Sequence, residues 1–297
     1  MLEKLLTEQP NPVSEGIDAL SPEAILRIIN AEDRKVAEAV GLEIPHIAQA
    51  VEAVAERLDR GGRLFYIGAG ASGRLGVLDA AECPPTFNVP PELVQGLIAG
   101  GEAALSRATE ASEDDPALGA RDLLDRGFAA SDALVGIAAS GRTLYVLGAV
   151  AKARELGALT IGISCTPASE LSRAVQIPIE PLPGPEILTG STRMKAGTAT
   201  KLVLNMLSTA VMIRLGHVYG NRMVSVQPRN SKLLDRARRI VAEAAGIDEG
   251  RAAEFLSRSG DTVKVAILMA RMGLDRREAE RRLAGVGGRV SEALKNG

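Results

Sequence analysis

Apolar residues recur along this chain in two different registers. From Ile44 to Leu58 they return at spacings of three and four, which predicts a helix with one buried face, ended by Gly61-Gly62. Upstream, Ser21-Pro22-Glu23 has the form of an N-cap followed by proline at the first helical position. From Arg63 onward short apolar runs take over. Arg63–Ile67, Leu93–Ile98, Asp132–Ile137, Leu159–Ser164 and Val175–Ile179 predict strands. Helices are predicted from the turn Gly68–Gly73 to about Glu82, over Glu102–Glu110, and from about Thr143 to Leu156. Strands separated by helices mean βαβ units and a mainly parallel sheet.

A long helix, about Met194 to Leu215, follows, with Ala, Leu, Val and Met on most of its faces, so it is expected in the core. Its most apolar part, Leu202 to Ile213, carries Asn205 and is shorter than the roughly 20 residues of a membrane span. Beyond about residue 232 the character changes to short basic-acidic helices with breaks at Gly246, Gly260 and Gly273, which predicts a three-helix bundle. The fold expectation is α/β: a three-layer, doubly wound parallel sheet in residues 61–231. Residues 1–60 form helices packed on it, and residues 232–297 a small helical domain.

Composition narrows the function. Hydrophobic residues make up 46% of the 297, enough for a large aliphatic core. Aromatics are 2%, Trp is absent, the net charge is -2 and the pI is near 5.9, all unlike a nucleic-acid binder. The Arg-rich stretch Arg276 to Arg282 interleaves Glu278 and Glu280, as a solvated helix face does. Cys83 and Cys165 are too few for a disulfide framework, and MLEKLLTEQPNP has no signal-peptide pattern. A cytoplasmic protein with no membrane partner is expected.

The candidate chemistry sits in loops. One strand runs into Gly68-Ala-Gly-Ala-Ser72-Gly73-Arg74, and a later one into Gly136-Ile-Ala-Ala-Ser140-Gly141-Arg142-Thr143. Both place Ser-Gly-Arg between a strand end and a helix start, where open α/β sheets bind ligands and free amides favour an anion. The first loop also satisfies G-x-G-x-x-G, but no acidic residue ends the second strand to hold a ribose; Glu92 precedes that strand. A dinucleotide site therefore loses its support.

Glu82 is expected where a helix must stop ahead of Pro84-Pro85, an unfavourable end for a carboxylate. The cluster Glu110-Ala-Ser-Glu113-Asp-Asp-Pro116 reads first as a capping segment, with Ser112 as N-cap. A third cluster, Thr189-Gly-Ser-Thr-Arg-Met-Lys-Ala-Gly-Thr198, puts Arg193 and Lys195 at a helix start. Cations there oppose the dipole and call for an anionic ligand or a carboxylate nearby. His46, His217 and the cysteines have no metal-ligand spacing, so catalysis falls to carboxylates and Lys, with no cofactor.

These segments resemble the N-acetylmuramic acid 6-phosphate etherase family. The matching stretches are Gly68-Ala-Gly-Ala-Ser-Gly-Arg-Leu-Gly, Asp79-Ala-Ala-Glu-Cys-Pro-Pro, Gly136-Ile-Ala-Ala-Ser-Gly-Arg-Thr and Ser191-Thr-Arg-Met-Lys-Ala-Gly-Thr-Ala. Leu5-Leu-Thr-Glu and Asn205-Met-Leu-Ser-Thr agree too. The resemblance implies a sugar isomerase (SIS) fold with a UBA-like C-terminal domain, and a homodimer whose subunits build the sites jointly. It also implies release of D-lactate from a phosphorylated amino sugar during cell-wall recycling. By motif position it puts the proton donor on Glu82 and the second catalytic carboxylate on Glu113. The same positions put phosphate and substrate contacts on Ser72, Gly73, Ser140, Gly141, Thr143, Arg193 and Lys195. Two positions depart from the family pattern: Ala71 stands where Thr is common, and Leu144 where Pro is common. The related domains of the glucokinase regulatory protein, which sense sugar phosphates without catalysis, and aldose–ketose isomerases share such phosphate loops. They differ from the etherases in the carboxylates.

Overall fold

The computed structural model describes residues 6–107, 112–227 and 230–295. Two helices come first, α1 (Pro22–Leu42) and α2 (Ile44–Asp59), and the Ser21 hydroxyl caps the start of α1. There follow β1 (Leu64–Gly68), α3 (Gly70–Phe87), β2 (Val94–Ile98), α4 (Ala103–Ser106), α5 (Pro116–Asp125) and β3 (Ala133–Ile137). Next come α6 (Leu144–Glu155), β4 (Leu159–Ile163), α7 (Glu170–Ala174), β5 (Ile177–Ile179) and α8 (Lys195–Arg214).

The five strands form one parallel sheet in the order β2-β1-β3-β4-β5. Every residue of β1, β3 and β4 is buried, because helices cover both faces. On one face Phe65, Ile67 and Leu134 pack with Tyr145, Val146 and Val150 of α6. On the other, Tyr66 lies close under Gly76 of α3. The chain leaves β1 for β2 on one side and comes back to β3 on the other, which makes the β1/β3 boundary the topological switch point. Gly68 is level with Ile137, so the two Ser-Gly-Arg turns emerge side by side there.

The chain divides into two compact units: residues 1–81 with 91–208, and residues 82–90 with 209–297. The second contains a short hairpin, β6 (Val218–Tyr219) and β7 (Arg222–Met223), and helices α9 (Ser231–Ala245), α10 (Glu249–Arg258), α11 (Val263–Met272), α12 (Arg276–Ala284) and α13 (Val290–Lys295). Its core joins Val241, Leu256, Ile267 and Val290. Gly246 and Gly273 end their helices in the left-handed conformation, as the glycine breaks predict. The described residues hold five helices from α9 to α13 instead of the expected three: the breaks at Gly246, Gly260 and Gly273 separate four, and the Gly285–Gly288 turn sets off a fifth.

Three further expectations are corrected. The helix from Gly70 does not stop at Glu82; it continues through Pro84 and Pro85 to Phe87. The prolines cannot donate to the carbonyls of Ala80 and Ala81, but the Asn88 amide still bonds the Pro84 carbonyl at 2.9 Å. The helix predicted over Glu102–Glu110 is the single turn α4, and Glu110 lies outside the described residues, as does Leu5. Finally, α8 is by length and composition apolar enough to cross a membrane. Half of it is buried inside the protein, and it presents Asn205 and Ser208 to a buried carboxylate, as a core helix does.

Candidate active site

Two turns at the switch point supply the amides and hydroxyls. In the first, α3 begins at Gly70 and carries Ser72 and Gly73 in its opening turn. Gly73 packs so tightly on β1 that a Cβ there would lie 2.7 Å from the Gly68 carbonyl oxygen. In the second, Gly141 has φ 67°, and a Cβ would fall 2.2 Å from that of Ser169, so only glycine fits. The Ser140 hydroxyl accepts weakly from the Arg142 amide at 3.4 Å. Thr143 occupies the N-cap of α6 yet its side chain makes no capping hydrogen bond.

The strand-end segment after β4 braces this second turn. Cys165 donates its amide and Thr166 its hydroxyl to the Ala139 carbonyl, at 2.9 and 3.3 Å. Ser164, Ser169 and Ser172 share hydroxyl bonds of 2.8 to 3.2 Å beneath Gly141. Sequence reasoning missed these residues, although a run of Ser and Thr directly after a buried strand was a usable signal.

Glu113 is tied to both turns. Its carbonyl accepts from the Tyr145 amide at the start of α6, at 3.0 Å. Its carboxylate oxygen Oε1 lies 3.4 Å from where a Cβ on Gly70 would stand. Asp115, not Ser112, caps α5, accepting from the Ala117 and Leu118 amides at 2.9 and 3.1 Å. The capping role expected for this cluster therefore falls two residues past Glu113. Glu82 lies about three turns beyond the start of α3, with an exposed side chain. It is not at a helix end, so the dipole argument for its presence does not apply.

One turn before Glu82, Asp79 is buried. It accepts from Tyr66 Oη (3.0 Å), Asn205 Nδ2 (2.7 Å) and Ser208 Oγ (3.2 Å). Burial raises its pKa above the ordinary carboxylate range, against the lowering effect of those bonds. Asp79 thereby fastens α3 to β1 and to α8.

The third cluster separates into two fates. Lys195 is a correction: it is 1% exposed, and its ammonium reaches Glu32 Oε2 at 2.7 Å and the Pro183 carbonyl at 3.0 Å. It is a core ion pair, not a ligand contact. Glu186 caps α8, accepting from the Lys195 and Ala196 amides at 2.9 Å each. The carboxylate required near Lys195 is thus Glu32, while Glu186 serves the amides at the helix start. Arg193 instead stays exposed and lines a cleft of about 390 Å³ with Ala71, Arg74, Leu75, Gly197, Thr198 and Lys201. Cys165 is pushed up to about 12 by burial and by the Glu186 charge, so it remains a thiol.

Comparison with known proteins bears on the fold and the family. A family model for the N-terminal SIS domain of glucokinase regulatory protein matches residues 46–154. A phosphoheptose isomerase structure from Francisella tularensis shares the fold, with a TM-score of 0.50, 20% identity, and 65% of this chain and 99% of that one covered. N-acetylmuramic acid 6-phosphate etherase of Prochlorococcus marinus (strain MIT 9303) is 53% identical over 98% of this chain and 92% of its own. That of Serratia proteamaculans (strain 568) is 54% identical over 98% of both. The chain belongs to the N-acetylmuramic acid 6-phosphate etherase family.

Proposed function

We propose that the protein cleaves the lactyl ether of N-acetylmuramic acid 6-phosphate, giving N-acetylglucosamine 6-phosphate and D-lactate. In the ring-opened sugar the C2 proton is acidified by the adjacent aldehyde. Glu113 takes that proton, the C3–O bond breaks, and Glu82 protonates the departing lactate oxygen. Water then adds at C3 of the unsaturated aldehyde, and C2 recovers a proton. The net reaction consumes one water and changes no oxidation state overall, so it requires no redox cofactor.

The observation that carries this reading is the placement of Glu113, whose carboxylate lies at Gly70 while its backbone holds the start of α6. A base at that point faces a ligand held by either turn. Ser140, Gly141 and Thr143 are proposed to bind the 6-phosphate, with Ser72 and Gly73 completing the ligand cradle. Arg193 is proposed as a further substrate contact. The C-terminal helices from residue 232 are proposed as a UBA-like module. A cytoplasmic homodimer is proposed as the working form, with exposed Leu78 on α3 and Met206 on α8 as candidate contacts for a second copy. Incubating the pure protein with N-acetylmuramic acid 6-phosphate and assaying D-lactate tests the activity. No lactate from folded protein contradicts it and favours a sugar-phosphate sensor.

A further inference from the structure

The substrate of this reaction carries two anions, the 6-phosphate and the lactyl carboxylate, and the sugar product keeps only the phosphate. The turn at the start of α6 provides for one. A second cationic surface lies in the cleft beside Ala71, where Arg74, Arg193 and Lys201 converge with no acidic residue among the described residues of the lining. Arg74 is anchored, donating to the Leu105 and Arg107 carbonyls at 3.1 and 3.0 Å. Arg193 and Lys201 are exposed and form no ion pair among the described residues.

Among the described residues, the carboxylates of Asp79 and Glu186 in this region are already engaged. Asp79, whose ionisation the Lys201 charge assists, is held by Tyr66, Asn205 and Ser208. Glu186 is occupied by the first amides of α8. Glu113 sits at Gly70, one residue from the Ala71 that lines the cleft.

Substrate chemistry sets where the second anion must go. The lactyl carboxylate is only two bonds from the ether oxygen on C3, next to the carbon that Glu113 deprotonates. The phosphate is three carbons further along the sugar. With this reading of Glu113 as the base, a cation cleft adjoining Gly70 falls at the lactyl arm rather than at the phosphate. The geometry points to Arg193 and Lys201, backed by Arg74, as the subsite for the lactyl carboxylate, and so as the residues that distinguish substrate from sugar product.

Lys201→Gln and Arg193→Gln each remove one cation from an exposed position. Each is expected to lower kcat/KM for N-acetylmuramic acid 6-phosphate about ten- to hundredfold, mainly through KM. Binding of N-acetylglucosamine 6-phosphate, measured by calorimetry, should stay within about twofold of wild type, since it lacks the group these cations hold. Lys201→Arg should recover most of the loss. Equal weakening toward both ligands would make the cleft a phosphate site, and an unchanged KM would remove it from the site; either overturns the proposal. Failure of the wild type to release lactate would instead sink the activity on which the proposal rests. Thermal melts of both variants establish folding, and Arg193→Gln, off the helix, carries the comparison if Lys201→Gln melts early.

Discussion

Lys195 carries its charge into the interior of the first unit, where Glu32 and a backbone carbonyl receive it. Removing Lys195 takes away the buried counter-ion of Glu32 and leaves its carboxylate held by Lys35 and Asn11 alone. Lys195→Met is therefore expected to lower unfolding stability by about 3–5 kcal/mol in urea titrations. Burial opposes the ionisation of Glu32, but the bonds from Lys195, Lys35 and Asn11 outweigh it and hold the pKa at about 2. A depressed carboxylate pKa stabilises the fold above the unfolded value near 4.5, and that contribution is lost as pH falls toward about 2. Wild type and Glu32→Gln should then differ in denaturant midpoint at pH 6 and draw together as pH falls from about 4.5 toward about 2. Nothing in the sequence discloses this pair, since Glu32 and Lys195 are 163 positions apart and neither has a periodic signal. Glu82 is the opposite case. Its position was legible only through the motif Asp79-Ala-Ala-Glu, because an exposed helical carboxylate has no local signature. Glu82→Gln should retain substrate binding by calorimetry while kcat falls about 10²–10⁴-fold. Near-normal turnover would take Glu82 out of the mechanism.

At the scale of elements, the strands were readable because buried parallel strands are continuous apolar runs. All five appear within two residues of their expected bounds. Helix ends were less readable. The Pro84-Pro85 pair reads as a stop, yet α3 continues because a missing amide costs a hydrogen bond without preventing the helical path. The acidic cluster reads as a cap starting at Ser112, but the cap begins at Asp115 because Pro116 is the first helical residue. That shift of three residues leaves Glu113 ahead of the helix, with its carboxylate at Gly70 in the first Ser-Gly-Arg turn. The second loop depends on Gly141, whose positive φ and approach to Ser169 leave no room for a side chain. Gly141→Ala is expected to weaken binding of N-acetylglucosamine 6-phosphate at least tenfold, with the midpoint of thermal unfolding lowered as well. Calorimetry and a melting curve test the two effects separately.

At the scale of the molecule, sheet order explains why two similar turns distant in sequence emerge side by side: β1 and β3 are neighbours at the switch point, and both turns leave from it. The βαβ pattern predicts a parallel sheet but not its order, which follows from how the helices divide between its faces. A homodimer should sediment near twice 31.1 kDa. The central claim, that two carboxylates cleave the lactyl ether by elimination and rehydration, is tested most directly by turnover in deuterated water. The account predicts D-lactate together with N-acetylglucosamine 6-phosphate carrying solvent deuterium at C2. Lactate release with the original hydrogen fully retained at C2 would contradict it.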